Sequence, residues 1–427
     1  MATPGEETAS MLEGKGNPLP IGWFALFTPD DAMPKDRGLY VKRRGLTVVL
    51  GVVVILICWG LGQSQGFAEN VFARGFGQYV GRGLATVTGV QPTSAGELLI
   101  VLVAGWALFL WARASWYVIR RKRRALNALA CGGLKVGAFG AILIALFYVL
   151  WGINYFRPGI IERQDWQAHA QPPADRAAQV AELSQLCEAL VAATNAEYRT
   201  AMGSEDYGVP SQPLAEMRAL DGEIEKAFAL VEKDLALEEG FGAPRAPAKP
   251  VAASVLMDYL QIGGFYFPWT GEANYHRLQP VSSIPFVIAH EKAHQRCVTS
   301  EDEANFIGFA ACVRCSDPYV RYSGYLFAQR QLLGELYGLD AKRAQELVQR
   351  RYAGVQRDVN HVNEYWARFD KGVAGAVGEV STAVNHAYLT ANQVEGGVQS
   401  YRMSSKLLIV YARKMGGIVP ATKAADE

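Results

Sequence analysis

The stretch VIAHEKAHQRCVTSEDEANF, residues 287–306, carries two of the six histidines of a 427-residue chain, His290 and His294, with Glu291 between them. On an α-helix positions i and i+4 share a face, so both imidazoles reach one metal ion. The glutamate at i+1 is rotated to the side, where it can sit beside the metal's water. The apolar run Val287, Ile288, Ala289 and the helix-starting Pro285 supply the element this pattern needs. The bland alternative is a solvated or core histidine pair with no metal.

A zinc site with catalytic intent needs a third protein ligand and one open position. Cys297-Val298-Thr299 reads as the turn of a helical hairpin, with Ser300 as the N-cap of the second helix. Position 303 then stands about as far past the turn as 294 stands before it, and packed helix axes ~8–10 Å apart leave room for a shared ion. Glu303 is therefore the expected third ligand, with Glu301, Asp302, His276 and Glu272 as rivals. Ser300-x-x-Glu303 is also a capping box, in which the glutamate would only tie down the helix start.

Upstream, three apolar runs at residues 46–61, 98–119 and 136–155 approach the ~20 residues that cross a bilayer. Arg113, inside the second, can snorkel to the interface. Lys42, Arg43 and Arg44 precede the first run, and Arg120, Arg121, Lys122, Arg123 and Arg124 separate the second from the third. Basic residues in short loops stay on the cytoplasmic side, so the amino terminus is expected inside and everything after residue 155 outside. The net charge of +1 and the confinement of the dense basic run to this topology signal argue against a nucleic-acid partner. No cleavage pattern follows the first run, which reads as an uncleaved anchor.

The expected organisation is a disordered tail at 1–45, three transmembrane helices within 46–155, an extracytoplasmic domain at 156–414 and a flexible tail at 415–427. In the loop at 62–97, Phe72, Phe76, Tyr79, Val80, Leu84 and Val87 recur at helical spacing, which predicts a helix on the membrane surface despite four glycines. Helices are predicted at 177–200, 214–237, 323–337, 341–352, 359–369 and 400–414. The run IGGFYFPW at 262–269 predicts a strand that Pro268 marks as an edge or an end. Cys187, Cys297, Cys312 and Cys315 fall outside the membrane. CVRC at 312–315 lacks a second CxxC, so buried small residues or one disulfide are the expected readings.

HEKAH followed by EDEANFIGFA resembles the gluzincin metallopeptidases, whose third ligand is a glutamate on the following helix, often in a Glu-Ala-Asp run. Here the run is Glu303-Ala304-Asn305. The segments WGINYFRP, GFYFPWTGEANYH, IPFVIAHEKAHQR, DPYVRYSGYL and AYLTANQVEGGVQSYRMSSKLLIVYA look like an uncharacterised family of bacterial three-pass membrane proteins with a C-terminal zincin-like domain. The resemblance implies an α-rich α+β fold after three spans.

The function expected from these residues is zinc-dependent hydrolysis of a peptide bond in a peptide or protein at the cell envelope. His290, His294 and Glu303 would hold Zn²⁺, and Glu291 would act as base. The strand Phe265, Tyr266, Phe267 would take an extended substrate by strand addition. Tyr322, Tyr325, Arg321, His386 and Tyr401 are the pool of transition-state stabilisers, each with a bland reading as a core aromatic or solvated residue. A catalytically silent zinc sensor or binding domain, and a hydrolase of another amide, are the alternatives.

Overall fold

A computed structural model describes residues 37–120, 122–392 and 404–420. Residues 1–36 and 421–427 of the expected tails lie outside the described residues. The fold is mainly helical, with three helices long and apolar enough to cross a membrane and one small sheet. Helix α1 spans Arg37–Gly62, and a π-helix at Phe67–Phe76 leads into α2, Gly77–Gly89. Then come α3, Ala95–Arg120, and α4, Lys122–Leu150. The membrane-length stretches are Gly38–Gly62, Ala95–Trp116 and Leu129–Leu150. The third stops five residues before the expected end because Trp151 leaves helical geometry and a 3₁₀ turn follows at Gly152–Phe156.

The chain continues through α5 (Ile160–Arg163), α6 (Gln167–Ala170), α7 (Arg176–Met202) and α8 (Met217–Asp234). After β1 (Lys249–Pro250) and α9 (Ser254–Leu260) come β2 (Gly264–Phe267) and β3 (Glu272–Tyr275). Helices α10 (Ile284–His294), α11 (Glu301–Cys312), α12 (Pro318–Leu339) and α13 (Ala341–Val348) follow. The described chain ends with α14 (Ala353–Ala367), α15 (Gly372–Ala391) and α16 (Ser404–Met415). The six helices predicted after residue 155 are all present with bounds up to six residues from those expected, apart from 400–403, which lie outside the described residues. α5, α6, α9 and α15 were not anticipated: the first three have only four, four and seven residues, and the glycine- and alanine-rich α15 carries no clear 3.6-residue stripe.

The residues form two compact units. The first takes the chain up to Val54 together with Val103–Ala145. Within it Gly51 lies against Ala141, the small-on-small contact by which membrane helices approach closely. The Tyr40 hydroxyl donates to the Cys131 carbonyl at 3.1 Å.

The second unit takes Ile55–Leu102 and everything from Leu146. Its core is built by α7, α8, α10, α11, α12 and α16 through Leu190, Phe228, Ile288, Phe306, Leu332 and Leu408, all fully buried. Each such side chain contributes ~1.5–3 kcal/mol. Asp175 and Asp317 cap α7 and α12 by accepting backbone N–H bonds, and Pro318 opens α12 where no N–H is needed. The sheet order is β1-β3-β2, with β1 parallel and β2 antiparallel to β3. β2 is an edge strand, and it stops before Pro268 as expected. All six cysteines are free and buried, and no disulfide is formed among them. Burial raises the Cys315 thiol to about 11, which leaves it inert.

Helix α10 and the turn after it carry charge on their inner side. Lys292 Nζ lies 2.5 Å from Glu225 and 3.2 Å from Asp221, and Arg296 pairs with Glu225 while stacking 3.8 Å over the Phe228 ring. Lys292 and Arg296 have no exposed surface. Removing one partner of such a network strands the others in low dielectric, so Lys292→Met is expected to cost ~3–5 kcal/mol. A marked fall in the detergent-solubilised protein's thermal midpoint is the expected readout, and an unchanged midpoint would contradict it.

Candidate metal centre

α10 and α11 form the predicted hairpin. α10 ends at His294, and Cys297 turns the chain with φ 64°. The helices pack closely because Gly308 of α11 faces the backbone of His290: a Cβ there would lie 3.0 Å from the His290 backbone nitrogen. His290, Glu291 and His294 are all buried, at 9 %, 4 % and 6 % exposure.

The two imidazoles point at one another, with Nε2 atoms 3.1 Å apart. Glu301 closes the triangle, its Oε2 standing 3.2 Å from His290 Nε2 and 3.6 Å from His294 Nε2. These three residues form the one histidine–carboxylate group with metal-ligand convergence among the described residues. Glu303 does not join them. Its carboxylate accepts from the Ile160 N–H at 2.6 Å and from Arg163 at 2.5 Å. Glu301, and not the expected Glu303, is thus the carboxylate that meets the two imidazoles. The reason is helical phase: α11 begins at Glu301, and two residues later the side chain has turned ~200° away from α10.

The other rivals are committed elsewhere. His276 bonds Asp258 at 2.8 Å, Glu272 pairs with Lys249, and Asp302 accepts from the Ser300 hydroxyl. Ser300 occupies the N-cap position without a side-chain cap bond, so the alternative capping box is absent too. Asn305, which takes the place of the acidic residue in the resembling families, donates to Ser404 at 2.9 Å.

Does this donor set fit a metal? His294 Nδ1 lies 2.7 Å from the Val298 carbonyl, which can only accept, so Nδ1 carries the proton and Nε2 presents a lone pair. His290 Nδ1 finds no hydrogen-bond partner among the described residues. Three donor atoms therefore converge, an arrangement that needs a positive charge, a proton or a metal ion, between them. A tetrahedral zinc with bonds of ~2.0–2.1 Å has ligand edges of ~3.3 Å, and the three sides found here bracket that value. The electrostatics agree. Burial opposes a charged His294, yet Glu301, Glu291 and the Val298 carbonyl outweigh it and lift the imidazole to about 9. Burial likewise works against an ionised Glu301, but the facing imidazoles hold its carboxyl well below the usual range.

Glu291 stands beside the triangle with Oε2 buried and unpartnered. Burial is the largest influence on it and pushes its carboxyl up to about 7, against the pull of both imidazoles. Strand β2 lies directly over it. The His276 N–H to Gly263 carbonyl bond sets the ladder phase, so Phe265 and Phe267 pair with β3 while the backbone of Gly264 and Tyr266 faces outward. The Tyr266 N–H then reaches the Glu291 carboxylate. Only glycine fits at 264, where a Cβ would come within 2.6 Å of Glu291 Oε1.

The expected stabilisers are not at this site. The Tyr322 hydroxyl donates to Asp358 at 2.7 Å in the core, Tyr325 packs on Phe309, and Arg321 grips Glu197 with bonds of 2.8 and 2.9 Å. They fail because α12 turns these residues towards α7 and α11. His386 is exposed on α15, and Tyr401 lies outside the described residues.

Reading the sequence alone missed Trp151 and the buried ions that fix α10. The indole Nε1 of Trp151 donates to the His294 carbonyl at 3.3 Å, and its ring stands edge-on to the imidazole. A signal for the ions did exist: Asp221 and Glu225 on α8, and Lys292 on α10 with Arg296 just past its end, are opposite charges each spaced four apart.

No curated protein and no solved structure matches the chain. The family described as Protein of unknown function (DUF3810) matches residues 72–409, a span that includes every residue of the centre, and the chain belongs to that family.

Proposed function

We propose that the chain is a membrane-anchored zinc metallopeptidase with a zincin-like site, hydrolysing peptide bonds outside the cytoplasm. The observation that carries this reading is the convergence of His290, His294 and Glu301 lone pairs beside the buried, unpartnered carboxylate of Glu291. Zn²⁺ held by those three residues would supply Lewis acidity towards a water and a scissile carbonyl. Glu291 takes the proton from that water and passes it to the leaving amine, a role suited to a carboxyl raised towards neutrality. The Val298 carbonyl holds His294 in the tautomer that ligates. The outward backbone of Gly264 and Tyr266 offers an edge to an extended peptide, which sets its carbonyl beside Glu291. Metal analysis of the full chain in detergent tests the reading: about one zinc per chain is expected, and a metal-free protein after zinc incubation would overturn it.

A silent zinc-binding sensor is the second reading. It is favoured by one observation, that Tyr322, Tyr325 and Arg321 are engaged away from the centre.

The basic clusters flanking the apolar helices support a cytoplasmic amino terminus. A reporter active only in the cytoplasm should therefore work when fused after residue 125 and stay silent when fused after residue 427. A signal from the second fusion would reverse the orientation.

A further inference from the structure

We propose that this centre, read as the peptidase site above, cuts peptide bonds lying within a few residues of a bilayer anchor rather than bonds anywhere along a freely diffusing protein. The inference rests on where the membrane-length helices end. α4 stops at Leu150, and the very next residue, Trp151, donates to the His294 carbonyl with its ring 6.2 Å from the imidazole. At the start of α3 the N–H groups of Ala95 and Gly96 donate to Glu272 of β3 at 3.1 and 2.7 Å, and Gly96 lies against the Phe267 ring of β2. Gly62, the last residue of α1, lies against Phe156 of the 3₁₀ turn that follows Trp151.

The end of α1, the start of α3 and the end of α4 are the three ends that alternate crossings bring to one side of a membrane. All three join the elements that carry His294, the substrate edge, or the turn between them. Rings of Phe147, Trp151, Tyr266, Phe267 and Trp269 bridge the end of α4 and strand β2, with centroids 5.0–6.0 Å apart. Tryptophan and tyrosine belong at the hydrocarbon–water boundary. An apolar cavity of about 300 Å³ opens at the same helix ends, lined by Cys58 of α1, Val149 of α4, Phe72 and Ile153. A chain leaving the bilayer advances ~3.3–3.6 Å per residue, so it meets the histidine pair within its first ~10 residues. A substrate without an anchor would have to be drawn down to that boundary.

The chemistry is shared by two sources, a segment flanking a transmembrane helix and a segment flanking an acyl-lipid anchor. The full chain, zinc-loaded and reconstituted into phosphatidylcholine–phosphatidylglycerol vesicles, should be given one mixed-sequence peptide library in three forms. These are fusion to a single transmembrane helix, attachment to a palmitoyl anchor, and the free form. A library about 30 residues long reaches ~100 Å from the surface, so cut positions read by mass spectrometry report distance from the anchor. Tethering raises local concentration by itself, so position and not rate decides. Cuts clustered in the first ~10 residues support the proposal, and the arm in which they occur identifies the source. Cuts spread evenly along the tethered library, or as frequent in the free one, overturn the juxtamembrane substrate while leaving the peptidase reading intact. No zinc-dependent cutting in any form overturns the peptidase reading and this inference with it.

Discussion

Glu301→Gln strips zinc from the purified chain, while Glu303→Gln leaves it bound; this is the expected outcome of a paired metal analysis. The two glutamates sit two residues apart and do opposite jobs. Glu301 closes the triangle on His290 and His294 at 3.2 and 3.6 Å, so its neutral amide forfeits the only anionic ligand. Loss of an outer-shell partner already costs ~10–100-fold in metal affinity, and loss of a direct ligand should cost more. Glu303 instead binds the Ile160 N–H and Arg163, holding the segment after the third apolar helix against α11. Its amide could still accept the backbone bond but would strand a buried guanidinium, at ~3–5 kcal/mol. Glu303→Gln should therefore show a lowered thermal midpoint with zinc retained at low temperature. Zinc lost from a folded Glu303→Gln protein and kept by Glu301→Gln would return the ligand role to Glu303.

The difference between those residues marks how much of the site was legible. HEKAH fixed the helix, its pair of imidazoles and the flanking glutamate, because an i, i+4 spacing determines a shared face whatever surrounds it. The hairpin was legible too, since Ser300 and the acidic first turn announce a helix start. What failed was counting residues outward from a turn whose conformation was unknown. Cys297 adopts a left-handed backbone, and α11 starts at Glu301, so a two-residue error in phase, about half a turn, exchanged the converging carboxylate for a structural anchor. The apolar helices were legible by length, but not that their ends carry the centre. That depends on contacts such as Trp151 with His294, between residues 143 apart in sequence. The edge strand was readable from its proline, whereas its phase over Glu291 required the ladder. Strand pairing and helix phase are set by tertiary packing, and a single sequence does not encode them locally.

Glu291→Gln is expected to keep fold and zinc and to lose activity by ~10²–10⁴-fold, the usual cost of a removed general base. The substitution is nearly isosteric, and Glu291 is not one of the three converging ligand atoms, so metal content should match the parent. The amide also keeps an acceptor for the Tyr266 N–H and fits beneath Gly264, where space is too tight for a Cβ. What it loses is the ability to accept a proton from water and return one to the leaving amine. His290→Ala should instead lose both zinc and activity, because it deletes a corner of the triangle. The contrast separates catalyst from sensor. A sensor needs the ligands and not the base, so it would lose function with His290→Ala and keep it with Glu291→Gln. Cleavage of the tethered peptide library at the parent's rate by a zinc-loaded Glu291→Gln protein would therefore end the peptidase reading. Parent-like complementation of a deletion strain by Glu291→Gln, with failure by His290→Ala, would give the sensor its place.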